Sequence, residues 1–131
     1  MASIFTKIIN REIPAYIVAE DNNFIAFLDI NPLTEGHTLV VPKREEDYVF
    51  DLPDQDVAGL FVFAKRVAQS IERVVPCKRI GLSVIGLEVP HAHIHLVPLH
   101  STNDINFSKP KLTFTKEHYL ALAQKITAAF K

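Results

Sequence analysis

An α+β domain built on a five-stranded antiparallel sheet is expected from three features of this chain. Five short stretches rich in β-branched and aromatic residues are joined by turn signals rather than helix-length crossovers. One long segment repeats apolar residues with a helical period. The 131 residues, 48% of them hydrophobic, suit one core and one domain.

The elements follow in order. Ser3 can cap a short helix carrying Ile4, Phe5, Ile8 and Ile9 that ends near Pro14. Tyr16–Glu20 reads as a strand, Asp21-Asn22-Asn23 as a turn and Phe24–Leu28 as the second strand of a hairpin. Asn31-Pro32 breaks that strand, Gly36 permits a turn, and His37–Val41 is a third strand closed by Pro42.

Pro53 and Asp54 open the long helix, since a proline and acids both suit a first turn. Val57, Leu60, Phe61, Ala64, Val67, Ala68, Ile71, Val74 and Val75 form its core-facing stripe. Val62 and Phe63 lie off that stripe, which leaves two readings: burial under a loop, or a subunit interface. Arg79–Ile85 and His91–Val97 read as the fourth and fifth strands, the last bracketed by Pro90 and Pro98. Thr115–Phe130 reads as a final helix with Tyr119, Leu122, Ile126 and Phe130 in step. The helices are expected to cover one face of the sheet. Only the residues around Ser101–Lys111 read as disordered.

Composition narrows the function. The net charge is −1 and no Lys/Arg block stands out, which argues against long nucleic acid and for a small charged ligand. The lone Cys77 excludes a disulfide framework and a Cys-based zinc site. No basic segment followed by an apolar stretch opens the chain, and no apolar run approaches the ~18 residues of a membrane span. A cytoplasmic protein with no membrane partner is therefore expected.

The chemistry gathers in Val89-Pro90-His91-Ala92-His93-Ile94-His95-Leu96-Val97-Pro98. Alternate side chains of a strand share a face, so His91, His93 and His95 should project together, each roughly 7 Å from the next. Ala92, Ile94 and Leu96 would then enter the core. Three readings are open: histidines without a task, a metal site, or phosphoryl or nucleotidyl transfer. A straight row spanning about 14 Å cannot converge on one ion without help from elsewhere. A central imidazole nucleophile flanked by two phosphate-binding donors is geometrically natural.

These residues match the His-φ-His-φ-His-φ-φ signature of the histidine-triad (HIT) superfamily. The resemblance extends to Ile4-Phe5-Thr6-Lys7-Ile8-Ile9, Glu12-Ile13-Pro14, Glu20-Asp21, Ala26-Phe27-Leu28-Asp29-Ile30-Asn31-Pro32 and Gly36-His37-Thr38-Leu39-Val40-Val41-Pro42-Lys43. It covers roughly residues 3–99 and resembles most the nucleoside phosphoramidase-like branch. It implies a HIT-like fold over residues 1–131, with 100–131 an extension that shapes the site's entrance or the dimer contact. It also implies a homodimer whose two sheets join into one, with the long helix at the two-fold axis, which favours the interface reading of Phe63.

The implied activity is hydrolysis or transfer of a nucleoside monophosphate from a phosphoramidate, a dinucleoside polyphosphate or a related adduct. It needs no cofactor and no metal. The ligand would be a purine nucleotide or nucleotide adduct. Carried over by motif, His93 is the nucleophile that becomes nucleotidylated. His95 contacts phosphate oxygens and helps the leaving group, His91 supports the site, and His37 orients the cluster. Asp29 grips the ribose hydroxyls, as two acceptor oxygens suit a vicinal diol. Phe5, Ile8, Phe27 and Ile30 form the slot for the base. Taken alone, His37 reads as a strand-edge residue and Asp29 as a turn residue.

The chain departs from the pattern in two places. Many relatives carry an Asn and then a Gly-rich loop with a Gln before the triad; here the stretch is Ser83-Val84-Ile85-Gly86-Leu87-Glu88-Val89-Pro90. Ser83 is the nearest candidate for the Asn position. An ionised Glu88 would repel a phosphate, so it is expected to favour a cationic leaving group. Some relatives also hold a structural zinc through an N-terminal Cys-x-x-Cys and a His. Ser3, Thr6 and Glu45 stand at those positions here, and no such zinc is expected.

Overall fold

The computed structural model describes residues 2–131. Its elements are α1 (Ile4–Ile9), β1 (Ile17–Glu20), β2 (Phe24–Leu28), β3 (Thr38–Pro42), α2 (Asp54–Val74), β4 (Arg79–Ser83), β5 (Ile94–Leu99) and α3 (Lys116–Ala129). The five strands form one sheet in the order β1-β2-β3-β5-β4, and every neighbouring pair is antiparallel.

Both faces of this sheet are covered, which is why β2 and β3 are buried at every residue instead of alternating. Phe24, Ala26, Leu28, Val40, Ile94 and Leu96 face α2 and α3 in the larger core. Ile25, Phe27, Leu39 and Val41 face the other way, against Phe5 and Ile8 of α1. The expectation that all helices share one face is thus corrected: α1 lies alone on the second face. Six residues are too few for a stable isolated helix, so this packing and the Ser3 cap hold α1 in place. It stops at Ile9, earlier than Pro14 suggests, because Asn10 takes the C-cap and Arg11 turns the chain at φ 61°.

Two residues of α2 exchange roles. Phe63 is only 2% exposed, and its ring packs on Phe24 and on Phe130, the C-cap of α3. Phe61, placed on the core stripe, is 39% exposed. The buried set is Leu60, Phe63, Ala64, Val67, Ser70 and Ile71. Phe63 is therefore an intramolecular core residue, and neither the loop nor the interface reading holds for it. The helix beneath which it lies is α3.

The strand ends also shift. β4 stops at Ser83, before Gly86 takes φ 75°. β5 starts at Ile94 and runs through Pro98 to Leu99. A proline is tolerated there because only β4 flanks β5 beyond Leu96. Residues 101–111, read as disordered from sequence, are instead ordered. Asp104 accepts the backbone N–H groups of His100 and Ser101 around a 3₁₀ turn at Thr102–Ile105, and Leu112 N–H donates to the Pro32 carbonyl.

Candidate active site

The sheet register lines up one row across the α1 face. Phe27 stands opposite Leu39, Leu39 opposite His95, and His95 opposite Ser83. Directly opposed residues share a face, so His95 projects toward α1. A cavity of about 910 Å³ opens there. Asp29, His37, His93 and His95 line it, with Phe5, Ile8, Phe27, Ile30 and Glu88. Phe5 packs edge-on against Phe27 at 5.5 Å and against His93 at 5.0 Å, which joins the apolar slot to the histidines.

Two expected site residues do not line this cavity. Ser83 stays in β4 opposite His95. His91 is fully buried, with its ring held between Ser3 and Pro42. The three histidines are therefore not one exposed row. His91 and His93 precede β5, where Ala92 N–H leaves the ladder for the Glu46 carbonyl. The rings of His93 and His95 come within 4.9 Å of one another, closer than regular strand spacing implies. Ala92, Ile94 and Leu96 do enter the core.

Hydrogen-bond partners fix the proton on each ring. The Pro42 carbonyl can only accept, so His91 Nε2–H donates to it at 2.8 Å. His91 Nδ1 then accepts the Ser3 hydroxyl at 2.7 Å, and burial holds this imidazole below its ordinary pKa, in the neutral form. His93 Nδ1–H donates to the His91 carbonyl at 2.8 Å, so the neutral ring keeps its lone pair on Nε2.

On the other side, Leu33 N–H donates to His37 Nδ1 at 3.0 Å. His37 therefore carries its proton on Nε2 and donates it to His95 Nδ1 at 3.0 Å. His95 is left with Nε2–H as a free donor. Desolvation, with the charges of Lys111 and His93, pushes His37 down to about 4. Desolvation, with His93 and His37, does the same to His95, also to about 4. Both rings are neutral near pH 7, so the relay delivers a hydrogen bond rather than a proton. In the neutral form of His93, its unprotonated nitrogen and the N–H of His95 thus belong to neighbouring rings.

Gly36 places His37. Its φ of 92° is open to glycine at little cost, and a Cβ would lie 3.0 Å from Val75 Cγ2 and 3.2 Å from Pro98 Cγ. Asp29 follows β2. Its backbone N–H donates to the His37 carbonyl, and its Oδ1 accepts the Asn31 N–H at 2.8 Å, the turn role read from sequence. Its Oδ2 stays 3.6 Å from His37 Nε2.

Asp29, His37 and His95 bring one ligand atom each within 4.8 Å of one another, the one such metal-capable group among the described residues. Chelation there would have to displace the His37–His95 hydrogen bond. The positions that hold zinc in some relatives form a different network: Ser3 N–H donates to Glu45 Oε1 at 2.7 Å, the Thr6 hydroxyl donates to the same oxygen, and Ser3 Oγ accepts the Thr6 N–H. Two hydroxyls and a carboxylate lack the thiolate and imidazole donors that zinc favours. The network couples the α1 cap to His91.

Among the lining residues that sequence reasoning missed are Phe107, Lys111 and Lys116. None of the three carries a local signal, since tertiary folding alone brings this stretch back over the site.

Comparison with known proteins agrees with this geometry. The HIT domain family matches residues 10–102. The adenosine 5'-monophosphoramidase hnt1 of Schizosaccharomyces pombe is 30% identical over 134 residues, covering 100% of both chains. The adenosine 5'-monophosphoramidase HNT1 of Saccharomyces cerevisiae is 37% identical over 98 residues, 74% of this chain and 62% of that one. A Hit-like protein of Bartonella henselae, crystallised with an unknown ligand, superposes with a TM-score of 0.84 at 28% identity over 98% of this chain and 96% of its own. By family match, relatives and fold together, the chain belongs to the histidine-triad (HIT) family.

Proposed function

We propose that this protein is a nucleotide-binding hydrolase or transferase that cleaves a nucleoside 5'-monophosphate from an amine leaving group through a covalent nucleotidyl-His93. The observation that carries this reading is the bond from His93 Nδ1–H to the His91 carbonyl, which leaves Nε2 free beside the N–H of His95. Its two relatives with phosphoramidase names support the substrate class.

In this reading the base enters the slot of Phe5, Ile8, Phe27 and Ile30, and Asp29 receives the ribose hydroxyls. His93 Nε2 attacks the α-phosphorus as the P–N bond breaks, and the amine departs with a proton drawn from water. His95 Nε2–H stabilises the charge that grows on the phosphoryl oxygens. Water then attacks phosphorus, the P–Nε2 bond breaks, and the nucleotide leaves. Glu88 is exposed and lines the cavity; in this reading it pairs with a cationic amine rather than a phosphate. Cytoplasmic residence fits the free Cys77.

A homodimer is part of the proposal. β4 is an edge strand, and Leu82 and Ile85 in and after it are exposed, as are Phe61 and Val62 on α2. Pairing two β4 edges would satisfy their open backbone groups and extend the sheet.

The test is turnover of adenosine 5'-phosphoramidate, with diadenosine polyphosphate as the competing substrate. Release of AMP from the phosphoramidate, abolished by His93→Ala, is expected. Preference for the polyphosphate would shift the substrate class. Nucleotide binding without turnover of either would make this a binding module.

A further inference from the structure

Leu87 and Glu88 stand where the family resemblance leads one to expect polar phosphate donors, so the phosphate of a substrate needs a donor from elsewhere. The two lysines that line the cavity are Lys111 and Lys116, and both lie outside the matched family segment 10–102. The part of the chain shared with the family supplies no lysine or arginine to the cavity wall.

Lys111 is held in a defined place. Its Nζ donates to the Phe107 carbonyl at 2.7 Å and the Lys109 carbonyl at 3.1 Å. An ammonium has three N–H donors, so one stays uncommitted. The strap that carries it is anchored at both ends. The Phe107 ring packs edge-on against His95 at 4.8 Å and reaches His37 at 6.3 Å. Leu112 N–H bonds the Pro32 carbonyl, three residues after Asp29. Lys109 Nζ and the N–H groups of His100 and Ser101 all converge on Asp104. The charge of Lys111 also reaches His37, where it helps keep that ring neutral.

We propose that Lys111 is a specificity-determining residue that binds the phosphate of the nucleotide with its free N–H, the strap 102–112 forming one wall of the substrate site. The inference rests on the nucleotide reading given above. In it the extension brings to the site a phosphate donor that the altered loop does not provide. A lysine acts on phosphate as a compact point charge, so it selects for the anion without fixing one geometry.

Calorimetric titration with AMP and with adenosine tests this on the full chain, using wild type, Lys111→Gln and Lys111→Arg. Lys111→Gln should weaken AMP binding about tenfold, the scale of one charge-assisted hydrogen bond. Adenosine binding should stay unchanged, and Lys111→Arg should restore most of the loss for AMP. Equal losses for AMP and adenosine would reduce Lys111 to a structural role and overturn the proposal. Unchanged AMP binding by Lys111→Gln would overturn it as well. Wild-type protein that binds neither ligand would instead overturn the nucleotide reading itself.

Discussion

At the scale of single residues, the site depends on which nitrogen of each ring holds a proton. Three groups of fixed character decide it: the carbonyls of Pro42 and His91, which can only accept, and the Leu33 N–H, which can only donate. Burial then keeps His37 and His95 neutral, each pushed down to about 4 from an ordinary 6.5. The sign of the linkage follows. Between these values the unfolded chain binds more protons than the native one, so stability rises with pH. The contribution is full above 6.5 and is lost as pH falls toward about 4. Unfolding at about pH 5.5 should therefore take up protons, and the urea midpoint should fall from neutral pH to that value. A midpoint flat over this window would mean that the two rings are not held neutral.

At the scale of elements, much was legible and the failures have causes. The alternation of His91 through Leu96 correctly sent Ala92, Ile94 and Leu96 to the core. It did not show that His91 would turn inward, because its partners, Ser3 and Pro42, are 88 and 49 residues away. The stripe of α2 was right at Leu60, Ala64, Val67 and Ile71 and failed at Phe61, whose place in the core Phe63 takes. Phe61 and Phe63 are both large and apolar, and the distant Phe24 and Phe130 decide which is covered. The α1 face was illegible for a related reason: β2 is apolar at every position, so its period cannot show that two layers cover it. Gly36 was read correctly as a turn residue, and the structure adds why no other residue suits it. Gly36→Ala should cost about 1–2 kcal/mol from the left-handed backbone alone. The crowding against Val75 and Pro98 adds to that. Chemical denaturation measures the loss, and an unchanged midpoint would mean that the turn can relax.

At the scale of the whole molecule, two apolar layers sandwich a sheet, and the site lies under the thinner one. The resemblance made most of the cavity legible in advance, including Asp29 and His37, which local reading alone assigned to turns and strand edges. It could not reach Phe107 and Lys111, which lie past residue 102. In the dimer proposed above, the exposed Val62 and the β4 edge form the contact with the second copy. Sedimentation should find a dimer that Val62→Glu dissociates, since a charge buried in an apolar contact is costly. A wild-type monomer would contradict the assembly proposed here. The chemistry itself is reached most directly by rapid quench into alkaline denaturant, in which a P–N bond to histidine survives, with adenosine 5'-phosphoramidate as substrate, followed by peptide mapping of the labelled protein at alkaline pH. A nucleotidyl group on His93, formed and lost at rates matching turnover, is the result expected. Turnover with no adduct on His93, or with the adduct on another residue, would contradict the assignment of His93 Nε2 as the nucleophile.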